Sequence, residues 1–191
     1  MRTNMLCRLV SVACAVLMLL PAIGCAVGQA ESVGIENAAA PDQVFKTQHM
    51  WDAKVTIADT LVLGKSKLGV RRIVPITGGT FEGPNIRGEV VPGGEDWQLV
   101  RPDGDTELYA RYLLKTHDGY LIQVINRVLI HAAAVGEKAR PYIRSVIDLE
   151  APSDSPYDYL NHAVFLGTLT QPTLKPGEKP YVIIGVYQVL G

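Results

Sequence analysis

From Phe45 to Leu190 the apolar positions come in short runs separated by Gly, Pro, Asp and Asn, with no sustained helical period. Runs rich in Val, Ile, Leu and Tyr predict strands at residues 50–58, 70–76, 86–91, 97–101, 107–115, 120–130, 142–149, 162–170 and 181–190. Within 120–130 the alternation is clean: Tyr120, Ile122, Val124, Asn126, Val128 and Ile130 share one face. Residues 132–138 and 157–160 each have room for one helical turn.

The connections carry their own signals. Pro102-Asp103-Gly104-Asp105 is a turn in which proline presets φ and glycine accepts a positive φ. Asp118-Gly119 is a tight hairpin signal. Together they predict a three-stranded antiparallel meander over residues 97–130. Pro176-Gly177-Glu178 turns the chain back into 181–190. Many short antiparallel strands mean a sandwich or a barrel. The links are local, and the body has no Cys-Trp-Cys pattern of an immunoglobulin domain. These features favour an all-β fold, a single closed antiparallel β-barrel, which also removes exposed sheet edges.

Residues 1–30 follow a different pattern. Arg2 and Arg8 give a positive start, residues 9–20 are almost unbroken apolar, and Pro21 and Gly24 end the run. No acidic residue precedes Glu31. The apolar run is well short of the roughly 20 residues of a membrane-spanning helix. These flanks and this length predict a cleavable signal peptide. Cleavage after Ala30 is served by the small residues Gly28 and Ala30. Alternatively, Ala22-Ile23-Gly24-Cys25 resembles a lipobox without its usual leucine, and Cys25 would then be lipidated. Either route exports the protein to the periplasm, the medium or a lipid anchor on the cell envelope, and lipid would be its one link to a membrane. Residues 31–44 read as a flexible tether and 45–191 as the barrel domain. All three cysteines lie within 1–30, so the domain itself has no disulfide, thiol nucleophile or thiolate metal site. A net charge of −1 gives no global attraction to nucleic acid.

A long motif runs from Gly69 to Gln98. It contains Val70-Arg71-Arg72-Ile73-Val74-Pro75-Ile76-Thr77-Gly78-Gly79-Thr80-Phe81-Glu82-Gly83-Pro84, then Ile86-Arg87-Gly88-Glu89-Val90, Pro92-Gly93-Gly94 and Asp96-Trp97-Gln98. Ala110-Arg111-Tyr112, Asn126-Arg127, Tyr142-Ile143-Arg144, Glu150-Ala151-Pro152 and Tyr159-Leu160-Asn161 follow. This pattern resembles the domain-of-unknown-function 3237 family across nearly all of residues 45–191. The resemblance implies a small closed barrel similar in shape to the allene-oxide-cyclase and dirigent group. Relatives in shape bind apolar or phenolic molecules, an analogy at the level of fold alone. The family often has an acidic residue before Ala110; Tyr109 stands there in this chain.

The candidate site residues follow from faces and turns. Asn85, Arg87 and Glu89 share one face of their strand. That face is either the wet outside of the barrel or a lumen in which Glu89 is an acid or base and Arg87 an anion clamp. Asn126 interrupts an apolar face and needs a partner in the protein or in a ligand. Glu89, Asp96, Arg111 and Asn126 are therefore the catalytic candidates. Arg87, Trp97, Tyr112, Asn126, Asn161 and His162 are the ligand-binding candidates. His49, His117, His131 and His162 lack metal-ligand spacing, and no phosphate loop or serine-nucleophile elbow is present. Neither metal nor cofactor is expected. Residues 181–190 are apolar on both faces, which predicts an outer cover, either the N-terminal segment or a second subunit of a homo-oligomer. The leading functional expectation is a module binding a small, partly apolar molecule. The alternatives are a cofactor-independent isomerase, cyclase or lyase, and a structural envelope protein.

Overall fold

The computed structural model describes residues 45–132 and 140–191. The signal peptide, the tether, the lipidation site at Cys25 and all but Ala132 of the first helical turn lie outside these residues.

Nine strands form: β1 (Lys46–Ile57), β2 (Leu61–Ser66), β3 (Gly69–Glu82), β4 (Arg87–Val100), β5 (Thr106–Thr116), β6 (Leu121–His131), β7 (Tyr142–Glu150), β8 (Phe165–Thr170) and β9 (Tyr181–Leu190). All pairings are antiparallel, in the order β1-β9-β8-β7-β6-β5-β4-β3-β2, and β1 also pairs with β3. That last pairing closes an eight-stranded barrel and leaves β2 outside the ring, bonded to the first half of β3. The expected meander is β4-β5-β6. Its turn glycines, Gly104 and Gly119, adopt φ of 94° and 97°.

Several elements differ from the sequence expectation, among them β3, which runs on from Ile76 to Glu82. The segments 86–91 and 97–101 are one strand, β4, because Pro92-Gly93-Gly94 forms a bulge instead of a break. Val91 and Glu95 face Leu113 and Arg111, so the intervening residues crowd opposite Tyr112 alone. A Cβ on Gly94 would stand 2.5 Å from that of Tyr112, which is why glycine occupies the position. Residues 61–66 form β2, an apolar edge strand that the turn-rich surroundings obscured. His162 ends a short 3₁₀ turn, Asp158–His162, and β8 starts only at Phe165.

Alternation sorts the side chains. Along β5 every second residue from Leu108 to Thr116 is buried, and β6 buries Ile122, Val124, Asn126 and Val128. One end of the barrel is filled solid by Trp51, Phe81, Leu114, Ile122, Leu149, Leu160 and Phe165. Trp51 and Phe81 meet edge to face with ring centres 5.9 Å apart. Burial of each such side chain contributes roughly 1.5–3 kcal/mol. The 3₁₀ turn stoppers this end: Leu160 is sunk in the core, and Tyr157 Oη donates to Asp118 Oδ1 at 2.9 Å.

The outer face of β9 is partly covered by the chain itself. Lys54 Nζ sits 3.8 Å from the centre of the Tyr181 ring, and His49 packs edge-on against Tyr187 at 5.2 Å.

Candidate functional site

The half of the barrel away from the stopper is hollow. Smaller residues there leave a cavity of about 250 Å³, with walls from β1, β3, β4, β5, β6, β8 and β9. Val55, Val74, Ile76, Leu108, Val128, Val182 and Ile184 make most of its apolar lining. Against this apolar surface stand Arg72, Asp96, Gln98, Tyr112 and Asn126.

Strand register explains the grouping. Asp96 on β4 lies opposite Ala110 on β5, and Ala110 lies opposite Asn126 on β6. The three occupy one cross-strand row facing inward, with neighbouring strands about 4.8 Å apart. Arg72 on β3 pairs with Gln98 on β4. Arg72 Nε donates to Gln98 Oε1 at 2.6 Å, and Gln98 Nε2 donates to Asp96 Oδ2 at 2.7 Å. Asp96 Oδ1 and Asn126 Oδ1 are both buried without a protein partner. Burial pushes the Asp96 carboxyl above the ordinary carboxylate range. The Gln98 hydrogen bond, the nearby Tyr109 backbone amide, which approaches without completing a hydrogen bond to Oδ1, and the Arg72 charge pull it only part of the way back. Burial likewise raises the Tyr112 phenol, which stays neutral. The lumen thus offers a sheltered acid, a fixed cation and a neutral phenol within mostly apolar walls.

Of the residues singled out from sequence, Asp96, Tyr112 and Asn126 line this cavity. The others lie elsewhere. Arg87 and Glu89 face solvent because Gly88 and Val90 take the inward positions of β4, and the Lys115 ammonium stands 3.6 Å from Glu89. The lumenal alternative for that pair is therefore corrected. Arg111 projects outward between Ala110 and Tyr112 and donates twice to Gln123 Oε1, from Nε at 3.0 Å and from a terminal nitrogen at 2.6 Å. Trp97 is also outside, 44% exposed, with its indole N–H donating to Glu95 Oε2. Asn161 serves the stopper: its Oδ1 accepts from the Ala151 N–H at 2.8 Å, and its Nδ2 donates to Ala151 O and Asp158 Oδ1. The His162 side chain is 72% exposed beside Asp158. Glu89 and Asn126 consequently do not face each other.

Arg72 and Gln98 were missed as site residues. A signal existed, since Arg72 shares a period-2 face with Val74 and Ile76, a charge on an otherwise apolar face. Gln98 follows Asp96 by two on the same face. Among the described residues no three His, Cys, Asp or Glu side chains group as metal ligands.

Comparison with known proteins agrees with the architecture. A "UPF0311 protein" of Rhodopseudomonas palustris is 32% identical over 156 residues, 76% of this chain and 97% of the relative. A crystal structure of a β-barrel-like protein from Acinetobacter baumannii superposes with a TM-score of 0.67 at 31% identity, covering 77% of this chain and 97% of the other. A protein of Penicillium herquei named a hydroalkoxylation enzyme is 27% identical over 121 residues, 63% of this chain and 72% of that one. The model of the family "Protein of unknown function (DUF3237)" matches residues 45–189, and the chain belongs to that family.

Proposed function

We propose that the barrel binds a small, mostly apolar molecule in its lumen and catalyses an acid–base isomerisation of it, with Asp96 as the proton donor and acceptor. The observation that carries this reading is the Asp96 carboxyl, held in an apolar cavity with Oδ1 unpartnered and its affinity for a proton raised. A carboxyl placed so for structure alone would be expected to have both oxygens bonded. The cavity lies near the low end of ligand pockets, roughly 300–1,000 Å³, and suits a compact ligand.

The name of the Penicillium herquei relative supports one form of the reaction, the addition of a hydroxyl across a carbon–carbon double bond. Asp96 would give its proton to an alkene carbon. The hydroxyl oxygen of the same ligand would bond to the neighbouring carbon and release its proton to the Asp96 carboxylate. Product and substrate are then isomers, and the acid is regenerated. Asn126, whose side chain lines the same cavity, would hydrogen-bond the ligand hydroxyl, and the apolar walls keep water from competing for the cation.

The test incubates the purified protein with a panel of ortho-prenylated phenols in D₂O. Cyclic ethers carrying one deuterium on carbon are expected, and Asp96→Asn should remove the activity. Recovery of the phenols unchanged and unbound across the panel, or an Asp96→Asn variant as active as the parent, would overturn the reading. Phenols bound but unconverted would leave a carrier instead of an enzyme.

A further inference from the structure

The chain from Arg72 through Gln98 to Asp96 settles something that a carboxylic acid normally leaves open, namely which oxygen holds the proton. A glutamine amide can ordinarily turn either way, since its oxygen and nitrogen differ little in shape. Arg72 removes that freedom. A guanidinium has only donors, so the atom of Gln98 that meets Arg72 Nε must be the acceptor, Oε1. The amide nitrogen must then face Asp96, where it donates to Oδ2 at 2.7 Å. An oxygen that receives an N–H at this distance cannot also point a proton at it. The carbonyl oxygen of a carboxylic acid is the better acceptor, so this bond favours Oδ2 as the carbonyl and leaves the proton to Oδ1, which has no hydrogen-bond partner in the protein.

We infer that Arg72 and Gln98 are positioning residues that keep the proton of Asp96 on Oδ1, the buried, unpartnered oxygen in the wall of the lumen, where a ligand that reaches it would meet a donor. The inference rests on the acid–base reading of the lumen for its catalytic meaning, though the orientation itself does not. The ligand class narrows accordingly. The polar end of the molecule that meets Asp96 is a carbonyl or ether oxygen or an electron-rich double bond. An ammonium group is excluded by the oriented O–H and by the Arg72 charge close behind it. After the proton leaves, the same Gln98 N–H and Arg72 charge stabilise the carboxylate that remains, so one arrangement serves both halves of the cycle.

Isotope-edited infrared spectroscopy on protein labelled with ¹³C at aspartate side-chain carboxyls tests this without any ligand, using the band lost in Asp96→Asn to assign the Asp96 C=O stretch. In the parent protein at acid pH, that stretch should lie at the lower frequency of a carbonyl receiving a hydrogen bond. Gln98→Leu should move it upward, and Arg72→Met should give two bands as the freed amide populates both orientations. Arg72→Lys, which keeps a donor and the charge, should restore a single low band. A parent band already at the free-carbonyl frequency would overturn the assignment even if no variant folded. A band unmoved in Arg72→Met would remove Arg72 from the role. If the lumen is catalytic, Arg72→Met should lower kcat roughly tenfold with little change in KM, as expected for lost orientation of a reacting group. Infrared bands as expected with no turnover in any protein would sink the enzyme reading and leave the positioning intact.

Discussion

Asp96 and Asn126 flank Ala110 in a single cross-strand row, each carrying a buried oxygen that no protein group meets. Ala110, with a single methyl, lines the cavity between them. Leucine there would project into the cavity that these residues line. Ala110→Leu is expected to abolish ligand binding and lower any turnover at least tenfold. The extra carbons enter existing space, so overpacking, which costs about 1–3 kcal/mol in a filled core, should be largely avoided. Native mass spectrometry of the variant beside a thermal melt checks both halves. Retained binding with a normal melt would show that the ligand does not sit over Ala110.

The raised proton affinity of Asp96 makes a prediction about stability. Its carboxyl binds a proton more tightly in the folded state than in the unfolded chain, where the pKa is about 3.8. The stability that this supplies is complete below about pH 4 and is lost as pH rises through the elevated folded value. Asp96→Asn has no such loss. The melting temperature of the variant relative to the parent should therefore climb from about pH 4 toward neutrality. In the parent, kcat/KM should fall over the same window, since the protonated acid is the reactive form. A temperature difference that is flat with pH would mean that Asp96 titrates like an exposed carboxylate.

Asn126 should be a stability cost in the empty protein. A buried polar atom without a partner costs about 1–3 kcal/mol. Replacing the amide by leucine, similar in size and without polar atoms, should raise the unfolding free energy by about 1 kcal/mol. The same change should weaken binding, because the amide that would meet the ligand at the cavity wall is gone. Chemical denaturation with and without ligand separates the two effects. A destabilised variant would indicate that the amide has a partner within the barrel.

Much of this is legible in the sequence alone. Asn126 stood out because the alternation of Ile122, Val124 and Val128 leaves no doubt about which face it shares. The hairpin at Asp118-Gly119 was readable from the demand of its turn for positive φ. Period-2 logic could say that Arg87 and Glu89 point the same way, yet not whether that way was in or out. Only the pairing of Gly88 and Val90 with Thr116 and Leu114 across β5 resolves it. The bulge at Pro92-Gly93-Gly94 hid the continuity of β4, and with it the single face that Asp96 and Gln98 share. Arg72 joins that pair through a contact across strands more than 20 residues apart in sequence, which no local pattern encodes.

The stopper and the lumen should be separable by mutation. Leu160 is 1% exposed in the core and is not among the residues that line the cavity of Asp96, Ala110 and Asn126. Leu160→Ala removes buried methyl groups and leaves a void, at an expected cost of about 2–5 kcal/mol. Glu89→Gln, on the outer face beside Lys115, should change stability by less than about 0.5 kcal/mol. Neither should move the pH dependence of the lumen, because neither touches the Arg72–Gln98–Asp96 chain. Denaturant melts of the two variants, followed by the titration of Asp96 in each, make the comparison. A shift of that titration in Glu89→Gln would tie the outer charge of β4 to the acid inside and would require the wall between them to be thinner than the strand register describes.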